Sequence, residues 1–294
     1  GGALTGKSVF ISSSSPGIAL MQEGFSFICS AEVPLVILNV SRGGPGVGGI
    51  QPGQADYRQA TKGGGNGDYH IPVYGPASIQ DTIDTIYASF EIADRYRNPV
   101  MILVDGMLGQ MVEPVVMPEY RKPVSFEDIL VNKPWAATGH GNKRPRNVIR
   151  SLRLDPAELE KHVIKMENKY RDMRKNLVQY KLYDTEDAEI VFVAFGTMAR
   201  IVKEAKDILK DQGIKAGLLQ PISLWPFPEE AFDKLSPSVR TVISTELSMG
   251  QMMEDVKTAV KGRFPIDLIC RSGGMVPTPT EVAQRAIDIL EVRK

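Results

Sequence analysis

The chain has 294 residues, of which 43% are hydrophobic and 24% are charged, values typical of a globular protein with room for two domains. Lysine plus arginine equals aspartate plus glutamate at 35 each, so no broad electrostatic field favours binding to nucleic acid or an anionic membrane. The two cysteines, Cys29 and Cys270, are far apart and lack CxxC spacing, which excludes a cysteine cluster and predicts a reducing compartment, the cytoplasm. No run of about 20 apolar residues predicts a membrane helix.

The first predicted strand spans residues 8–11, and an amphipathic helix is predicted from about residue 18 to residue 31. Hydroxyl groups and free N–H groups at the start of a helix form a polar wall that tolerates anions, or they simply cap the helix. Both interpretations remain open for the intervening loop, which reads Ser12-Ser13-Ser14-Ser15-Pro16-Gly17.

The second predicted strand, residues 35–40, is a mostly apolar run that suits the middle of a parallel sheet. It leads through Arg42 into a loop with five glycines in the seven positions 43–49. Glycine lets a backbone approach a ligand closely, and ligands of open α/β sheets bind beyond the carboxyl ends of strands. An arginine there is a bidentate receptor for carboxylate or phosphate. The alternative is a surface turn, and a second glycine-rich run at 62–69 argues against it.

The remainder of the first half alternates between strand and helix. Short apolar runs predict strands at 71–74 and 100–104, and Ser78 with Asp81 predicts the start of the helix between them. This order of elements predicts an α/β fold with a doubly wound parallel sheet.

From residue 113 to residue 154 the alternation of predicted strands and helices stops, and the prolines there predict a connection on the surface. His140 within it has no partner spaced for a metal, and we predict no metal ligands in this chain. Asp155 caps a long helix whose apolar stripe extends to Tyr180. We expect this stripe to lie on a neighbouring domain or subunit, with a coiled coil as the alternative.

A second α/β unit begins at residue 190. Its predicted helices lie near 196–209, 228–235, 248–260 and 280–290, the last capped by Thr280. Its predicted strands are 190–195, 216–219, 241–245 and 266–269.

With these segments laid out, the chain resembles the α subunit of the 2-oxoacid:ferredoxin oxidoreductases, and most of all the branched-chain (2-oxoisovalerate) type. The likeness covers nearly the whole chain. It depends on an ordered set of segments: residues 12–18, 39–46, 60–65, 97–100, 105–106, 195–197 and 217–219, followed by Pro221, Pro226 and Pro228.

The resemblance implies three parts: a partial pyrimidine-type thiamine diphosphate domain at 1–112, a connection with the long helix at 113–185, and a transketolase C-terminal-like domain at 186–294. It implies thiamine diphosphate with Mg, shared with a β subunit that carries the diphosphate-binding domain. It also implies an iron–sulfur cluster and coenzyme A on or via partner subunits, including a γ subunit and a ferredoxin-like subunit, with ferredoxin as electron acceptor.

In the residues that match the family, Arg42 corresponds to the arginine that grips the substrate carboxylate, which makes it the implied catalytic residue, with Gly43 and Gly44 beside it. The implied lining of the pyrimidine side of the cofactor is Ser13, Ser14, Ser15, Pro16 and Gly17.

Two departures from the family matter. The family's glutamate that bonds the aminopyrimidine ring should precede Gly1, so we expect the chain as given, on its own or with partners, to be inactive. Relatives that take 2-oxoglutarate often carry Leu-Pro-Thr-Lys where this chain has residues 50–53, Ile-Gln-Pro-Gly. A missing lysine removes a receptor for a second carboxylate and favours an apolar oxoacid.

Alternatives remain at this point. The chain is either a subunit of the branched-chain enzyme, a subunit of its 2-oxoglutarate-specific relative, or a non-catalytic α/β interaction module that keeps the fold without the chemistry. A thiamine enzyme of the transketolase or dehydrogenase type fits the Arg42 loop less well.

Overall fold

The computed structural model describes residues 1–293, which form two sheets flanked by helices. The strands are β1 (Phe10–Ser14), β2 (Leu35–Ser41), β3 (Val73–Tyr74), β4 (Pro99–Asp105), β5 (Tyr180–Tyr183), β6 (Ile190–Val193), β7 (Ala216–Pro221), β8 (Ser223–Trp225), β9 (Thr241–Glu246) and β10 (Ile266–Cys270). The α-helices are α1 (Ser15–Leu20), α2 (Gln22–Ser30), α3 (Tyr57–Lys62), α4 (Ile79–Tyr96), α5 (Phe126–Asn132), α6 (Pro156–Asn176), α7 (Gly196–Asp211), α8 (Gln251–Val260) and α9 (Pro279–Val292). Short 3-10 helices span Gly2–Thr5 and Glu229–Lys234.

Parallel pairing dominates both sheets. The first has the order β1-β2-β4-β3-β8 and the second the order β10-β9-β6-β7-β5. Pairing is antiparallel only where β8 joins β3 and where β5 joins β7 among the strands of the described residues. The predicted α/β class is confirmed, and the two antiparallel edge strands were not predicted.

The central strand of the first sheet, β4, is apolar up to its last residue, Asp105, because both of its faces are covered. In β4, Ile102 faces a core on one side of the sheet. Met101 and Leu103 face the other side, in a core that they share with Val191 and Val193 of β6. One apolar core therefore continues from the first sheet to the second, and β8 crosses from the second half of the sequence into the first sheet. The domain boundary near residue 186 stays a prediction.

The serine segment differs from expectation. It was predicted as a loop after a strand at 8–11, but Ser12, Ser13 and Ser14 belong to β1. They pair in parallel with residues 38–40 of β2, and this ladder outweighs the low strand preference of serine. The polar loop therefore shrinks to the turn from Ser14 into Ser15.

Two helix predictions were wrong in their limits. The helix predicted at 18–31 begins at Ser15 and is interrupted at Met21, which separates α1 from α2. The long helix ends at Asn176, so Tyr180 starts an edge strand instead of extending the helix.

The apolar stripe of α6 packs inside this chain. Its residues Met166 and Met173 are buried in the core that joins the two sheets. Tyr170 meets Trp225 of β8 edge-on, with ring centroids 6.2 Å apart. A hydrogen bond of 2.9 Å joins His162 Nε2 to the Ser30 carbonyl at the end of α2. The long helix thus contacts both halves of the sequence, as expected for a stripe that lies on a neighbouring part of the fold.

The connection at 113–154 lies on the surface, as predicted, although it also contains the short helix α5. Lys133 anchors it to α4 through an ion pair of 2.8 Å with Asp94.

The last helix is capped two residues earlier than predicted. Thr278, not Thr280, accepts a hydrogen bond from the Glu281 N–H, and the Glu281 side chain accepts one from the Thr278 N–H in return. The intervening Pro279 occupies the first turn, where its missing N–H costs nothing.

The capping box provides a test of the helix start. We expect Thr278→Ala to lower the free energy of unfolding by about 1 kcal/mol, because it leaves an N–H of the first turn without its acceptor. Thr280→Ala is the matched control, since Thr280 is equally exposed and makes no cap. Urea denaturation of the two variants decides the point, and a larger loss for Thr280→Ala would contradict the observed cap.

Candidate functional site

The carboxyl ends of β1 and β2 bring the serine segment and the glycine loop together. Because the strands are parallel and Ser14 pairs with Val40, both chains leave the sheet at the same edge. The Arg42 N–H donates a hydrogen bond of 3.1 Å to Ser15 Oγ. The two segments therefore lie side by side in the fold.

The glycine loop closes around the Arg42 guanidinium. Its two terminal nitrogens donate to the Gly43 and Gly46 carbonyls at 3.0 and 3.1 Å. A side chain at Gly48 would place its Cβ 2.8 Å from one of these nitrogens, so glycine is required there. Since a guanidinium carries five N–H donors, the loop carbonyls leave others for a ligand.

An open cavity of about 760 Å³ lies next to this loop. Both halves of the chain contribute to its wall. The lining residues are Ser15, Pro16, Ala19, Leu20, Arg42, Gly44, Pro45, Gly46, Ala55, Asp56, Gln59, Met249, Gln251 and Ser272.

The wall of the cavity is largely apolar and carries a single cation. Arg42 is its only basic residue within the described part of the chain, and Asp56 is the only acidic one. The Asp56 carboxylate accepts a hydrogen bond of 3.1 Å from Asn39 Nδ2. An arginine in apolar surroundings binds one carboxylate well, because weak competition from water strengthens a charge-assisted pair.

The predicted site residues divide into two groups. Ser15, Pro16, Arg42 and Gly44 line the cavity. The others do not: Ser13 and Ser14 lie in β1, Gly17 lies within α1, and Gly43 packs against the backbone of the Gly273–Gly274 turn. The roles assigned to all of these residues stay predictions.

The second glycine-rich run lies away from the cavity. The N–H groups of Gly64 and Gly65 donate to Tyr69 Oη at 3.2 and 2.9 Å, and Gly64 also donates to Gln22 Oε1. These amides are satisfied inside the chain, so this run does not offer a free anion cradle.

Sequence reasoning missed the contribution of the second half. Met249, Gln251 and Ser272 follow the carboxyl ends of β9 and β10. The rule that ligands bind beyond the carboxyl ends of parallel strands would have pointed to them, had it been applied to both sheets.

A buried carboxylate supports this part of the wall. Glu246 is fully buried at the end of β9 and accepts hydrogen bonds from the N–H groups of Met252 and Met253 at 3.0 and 3.1 Å. The hydroxyls of Ser244 and Ser248 also donate to it. It caps the start of α8, where a negative charge is favourable, and so fixes the turn that carries Met249.

The helix α3 binds the second half through its polar residues. Tyr57 Oη donates to Asp255 at 2.7 Å, and Arg58 and Lys62 pair with Glu254 and Asp255. Burial, and then the neighbouring Asp255 carboxylate, raise the pKa of Tyr57 well above its usual range, which keeps it a neutral donor.

Within residues 1–293, no group of three or more His, Cys, Asp or Glu residues is placed to hold a metal ion. None of the helices in this range is both long and apolar enough to cross a membrane.

Comparison with known families accounts for most of the chain. Residues 1–181 match the family model described as "Pyruvate flavodoxin/ferredoxin oxidoreductase, thiamine diP-bdg". Residues 188–282 match "Pyruvate:ferredoxin oxidoreductase core domain II". The ketoisovalerate oxidoreductase subunit VorB of Methanothermobacter marburgensis is 45% identical over 274 residues, which is 93% of this chain and 76% of that protein. The chain belongs to the 2-oxoacid:ferredoxin oxidoreductase family.

A second group of relatives in the family carries a different name. The 2-oxoglutarate synthase subunit KorA of Methanocaldococcus jannaschii is 30% identical over 308 residues, covering 98% of this chain and 82% of that protein. Among solved structures, a 2-oxoglutarate:ferredoxin oxidoreductase from Magnetococcus marinus with 2-oxoglutarate, coenzyme A and succinyl-CoA bound matches with a TM-score of 0.79. It is 22% identical, and the match covers 97% of this chain and 54% of that one, so it supports the fold alone.

The turn from β1 into α1 provides a test at the edge of the cavity. A Cβ at Gly17 would lie 2.1 Å from Ser13 Oγ. We expect Gly17→Ala to be less stable than Gly24→Ala by about 0.5–1.5 kcal/mol, a loss that arises because the Ser13 side chain must change its rotamer to make room for the added atom. Adding Ser13→Ala should restore most of the loss, since it removes the clashing oxygen; urea denaturation measures both.

Gly24→Ala is the matched control, because nothing lies within 4 Å of a Cβ at that exposed position in α2. It should raise the free energy of unfolding by about 0.5–1 kcal/mol through helix propensity. Equal changes in the free energy of unfolding for Gly17→Ala and Gly24→Ala would show that the turn does not depend on the Ser13 contact.

Proposed function

We propose that this chain is the α subunit of a branched-chain 2-oxoacid:ferredoxin oxidoreductase, which converts 2-oxoisovalerate to an acyl-CoA and passes electrons to ferredoxin. The observation that carries the proposal is a largely apolar cavity with one cation, Arg42, among the lining residues of the described chain. It suits a substrate with one carboxylate and an apolar side chain. The relatives named ketoisovalerate oxidoreductase, 45% and 40% identical, support the same substrate.

Arg42 binds the substrate carboxylate in this proposal. Its loop holds the guanidinium at the mouth of the cavity before any ligand arrives, so little side-chain freedom is lost on binding. A planar fork of donors matches a carboxylate and fixes the orientation of the carbon that reacts.

Ser15 and Pro16 fit the edge of a planar heterocycle such as the pyrimidine of thiamine diphosphate. Pro16 offers a flat apolar surface, and the Ser15 hydroxyl, which accepts from the Arg42 N–H, keeps its own proton to donate. When bound, thiamine diphosphate supplies the nucleophilic carbon and the electron sink that decarboxylation requires. Ser13 and Ser14 lie in β1, and Gly17 lies in the first turn of α1, so these residues fix the positions of Ser15 and Pro16.

Partner subunits complete the proposed enzyme. We assign the diphosphate group, Mg, the iron–sulfur cluster and coenzyme A to contacts with β, γ and ferredoxin-like subunits. Large apolar side chains around the cavity are exposed, at 88% for Leu20, 75% for Met249 and 101% for Val47. Exposed apolar residues grouped around a site are typical of a surface that another protein covers.

The 2-oxoglutarate-specific enzyme is the second candidate, supported by relatives that are about 30% identical. Its substrate carries a second carboxylate, whose burial needs a second cationic or hydrogen-bonding partner. The cavity lining within residues 1–293 offers no cation besides Arg42, which favours the branched-chain substrate.

The proposal is tested with the complete gene product co-expressed with its neighbouring subunits. We expect 2-oxoisovalerate to reduce ferredoxin or a viologen dye in a coenzyme A-dependent reaction, faster than 2-oxoglutarate does. A preference for 2-oxoglutarate would change the substrate and keep the reaction class. An assembled complex that contains thiamine diphosphate and turns over no 2-oxoacid would contradict the proposed activity.

Substitution of Arg42 tests the carboxylate site in the same assay. Arg42→Ala should raise the KM for 2-oxoisovalerate roughly 10- to 100-fold, the effect of losing a charge-assisted contact of about 1.5–3 kcal/mol. Arg42→Lys keeps the charge but loses the two-pronged donor geometry, so its KM should lie between those of wild type and Arg42→Ala. Arg171→Ala is the control, because this exposed arginine lies on α6 outside the cavity. A KM unchanged by Arg42→Ala would remove Arg42 from substrate binding.

A further inference from the structure

The base of the glycine loop is held by a short set of backbone contacts. Arg42 and Pro52 form an isolated antiparallel bridge, and the Gly43 N–H donates 2.9 Å to the Gln51 carbonyl. A Cβ at Gly53 would lie 2.8 Å from the Arg42 carbonyl carbon. The position of Arg42 therefore depends on where the chain at 51–53 is fixed.

Gln54 comes next and is 1% exposed, with both ends of its amide engaged. Its Nε2 donates to the Phe195 carbonyl at 3.0 Å, and its Oε1 accepts from the Leu247 N–H at 2.9 Å. The Gln54 N–H also donates to the Leu247 carbonyl at 2.9 Å. Three hydrogen bonds thus join this residue to the ends of β6 and β9 in the second sheet.

The packing around the amide is tight. Gly196 has a φ of +57°, and a Cβ there would lie 3.0 Å from Gln54 Nε2 and 3.1 Å from Asp105 Oδ2. Glycine at this position lets the amide reach the backbone of the second half. An apolar side chain of the same length would leave the Leu247 N–H buried without a partner, and it would leave the Phe195 carbonyl with only the Ala199 N–H at 3.3 Å.

Gln54 also connects the two walls of the cavity. It follows the loop that carries Arg42, and it clamps Leu247, which lies two residues before Met249. The first wall belongs to the glycine loop and the second to the turn after β9. The hydrogen bonds of the Gln54 side chain and N–H connect the glycine loop directly to the chain that enters this turn.

We propose that Gln54 is a positioning residue for substrate recognition: it sets Arg42 at a fixed distance from the wall formed by Met249 and Gln251. The inference rests on the proposed function for the carboxylate role of Arg42. It goes beyond that function by assigning the precision of the site to a residue that does not touch the substrate.

The kinetic test uses Gln54→Met in the assembled complex, with 2-oxoisovalerate and a viologen dye. We expect the KM to rise about tenfold with a smaller change in kcat, because the carboxylate receptor is displaced while the chemistry persists. In the Arg42→Ala background the same change should add less than about twofold, since residues that act through each other are not additive. Independent, multiplying effects on KM would overturn the proposal.

Gln54→Glu adds a pH signature that a loss of packing does not produce. The introduced carboxyl group keeps the acceptor for Leu247, and only its protonated form donates to the Phe195 carbonyl. The activity of this variant relative to wild type should therefore recover as the pH falls. If the activity of Gln54→Glu relative to wild type stayed constant or decreased as the pH fell, that result would count against a role for the Gln54 Nε2 donor.

Thr197→Val is the matched control. It removes the hydroxyl that donates to Asp105 at 2.7 Å, another buried contact between the halves, and it leaves the loop contacts intact. We expect it to lower the melting temperature with the KM unchanged. An equal rise in KM would show that any loosening of the halves has the same effect, which overturns the specific role of Gln54.

Hydrogen exchange gives a readout that does not depend on activity. In Gln54→Met, the amides of residues 43–53 should exchange faster than in wild type, and in Thr197→Val they should not. If the wild-type complex turns over no 2-oxoacid, the proposed function is wrong, and unchanged exchange in the loop would still separately refute the positioning role.

Discussion

The Asp105 carboxylate, buried at the end of β4, holds the two halves of this chain in one arrangement. It accepts hydrogen bonds from the Thr197 N–H and hydroxyl at 3.0 and 2.7 Å, and from the Met107 N–H at 3.1 Å. A buried carboxylate is tolerated only when its oxygens are paired, so this junction admits few alternative geometries. The same contact caps the start of α7 and joins the carboxyl end of β4 to the second half of the chain.

This arrangement explains why the candidate site is built from residues that follow the carboxyl ends of strands. Loops at the carboxyl ends of strands carry Ser15, Arg42, Met249 and Ser272, while the strands behind them are fixed by a core buried on both sides. When loops are held by a rigid scaffold, their polar groups are already in place before a ligand binds, so little conformational entropy is lost on binding. The Arg42 guanidinium lies in the wall of this largely apolar cavity, where the Gly43 and Gly46 carbonyls hold it.

The sequence predicted best those elements whose pattern is set by local burial. The runs at 35–40 and 100–104 are apolar apart from Asn39 because the sheet is covered on both faces, and this pattern predicted them as strands of a parallel sheet. The strand character of Ser12–Ser14 was missed because it arises from pairing with β2 and not from serine itself. Ser15 and Arg42 were each selected from the sequence in a loop that follows a predicted strand, whereas Met249 and Gln251 come together with them only through contacts between the halves. Such contacts span about 200 residues and leave no periodic signal in the sequence.

The strand β8 has a consequence for how the chain is made. It pairs with β3, so the edge of the first sheet stays open until residues 223–225 have left the ribosome. At typical synthesis rates the intervening stretch takes roughly 7–30 s, far longer than the formation of a hairpin or a helix. During that interval the nascent first half presents an unpaired strand edge and an uncovered core, which makes it a natural client for chaperones. The late arrival of β8 ties completion of the amino-terminal sheet to synthesis of the carboxyl-terminal half.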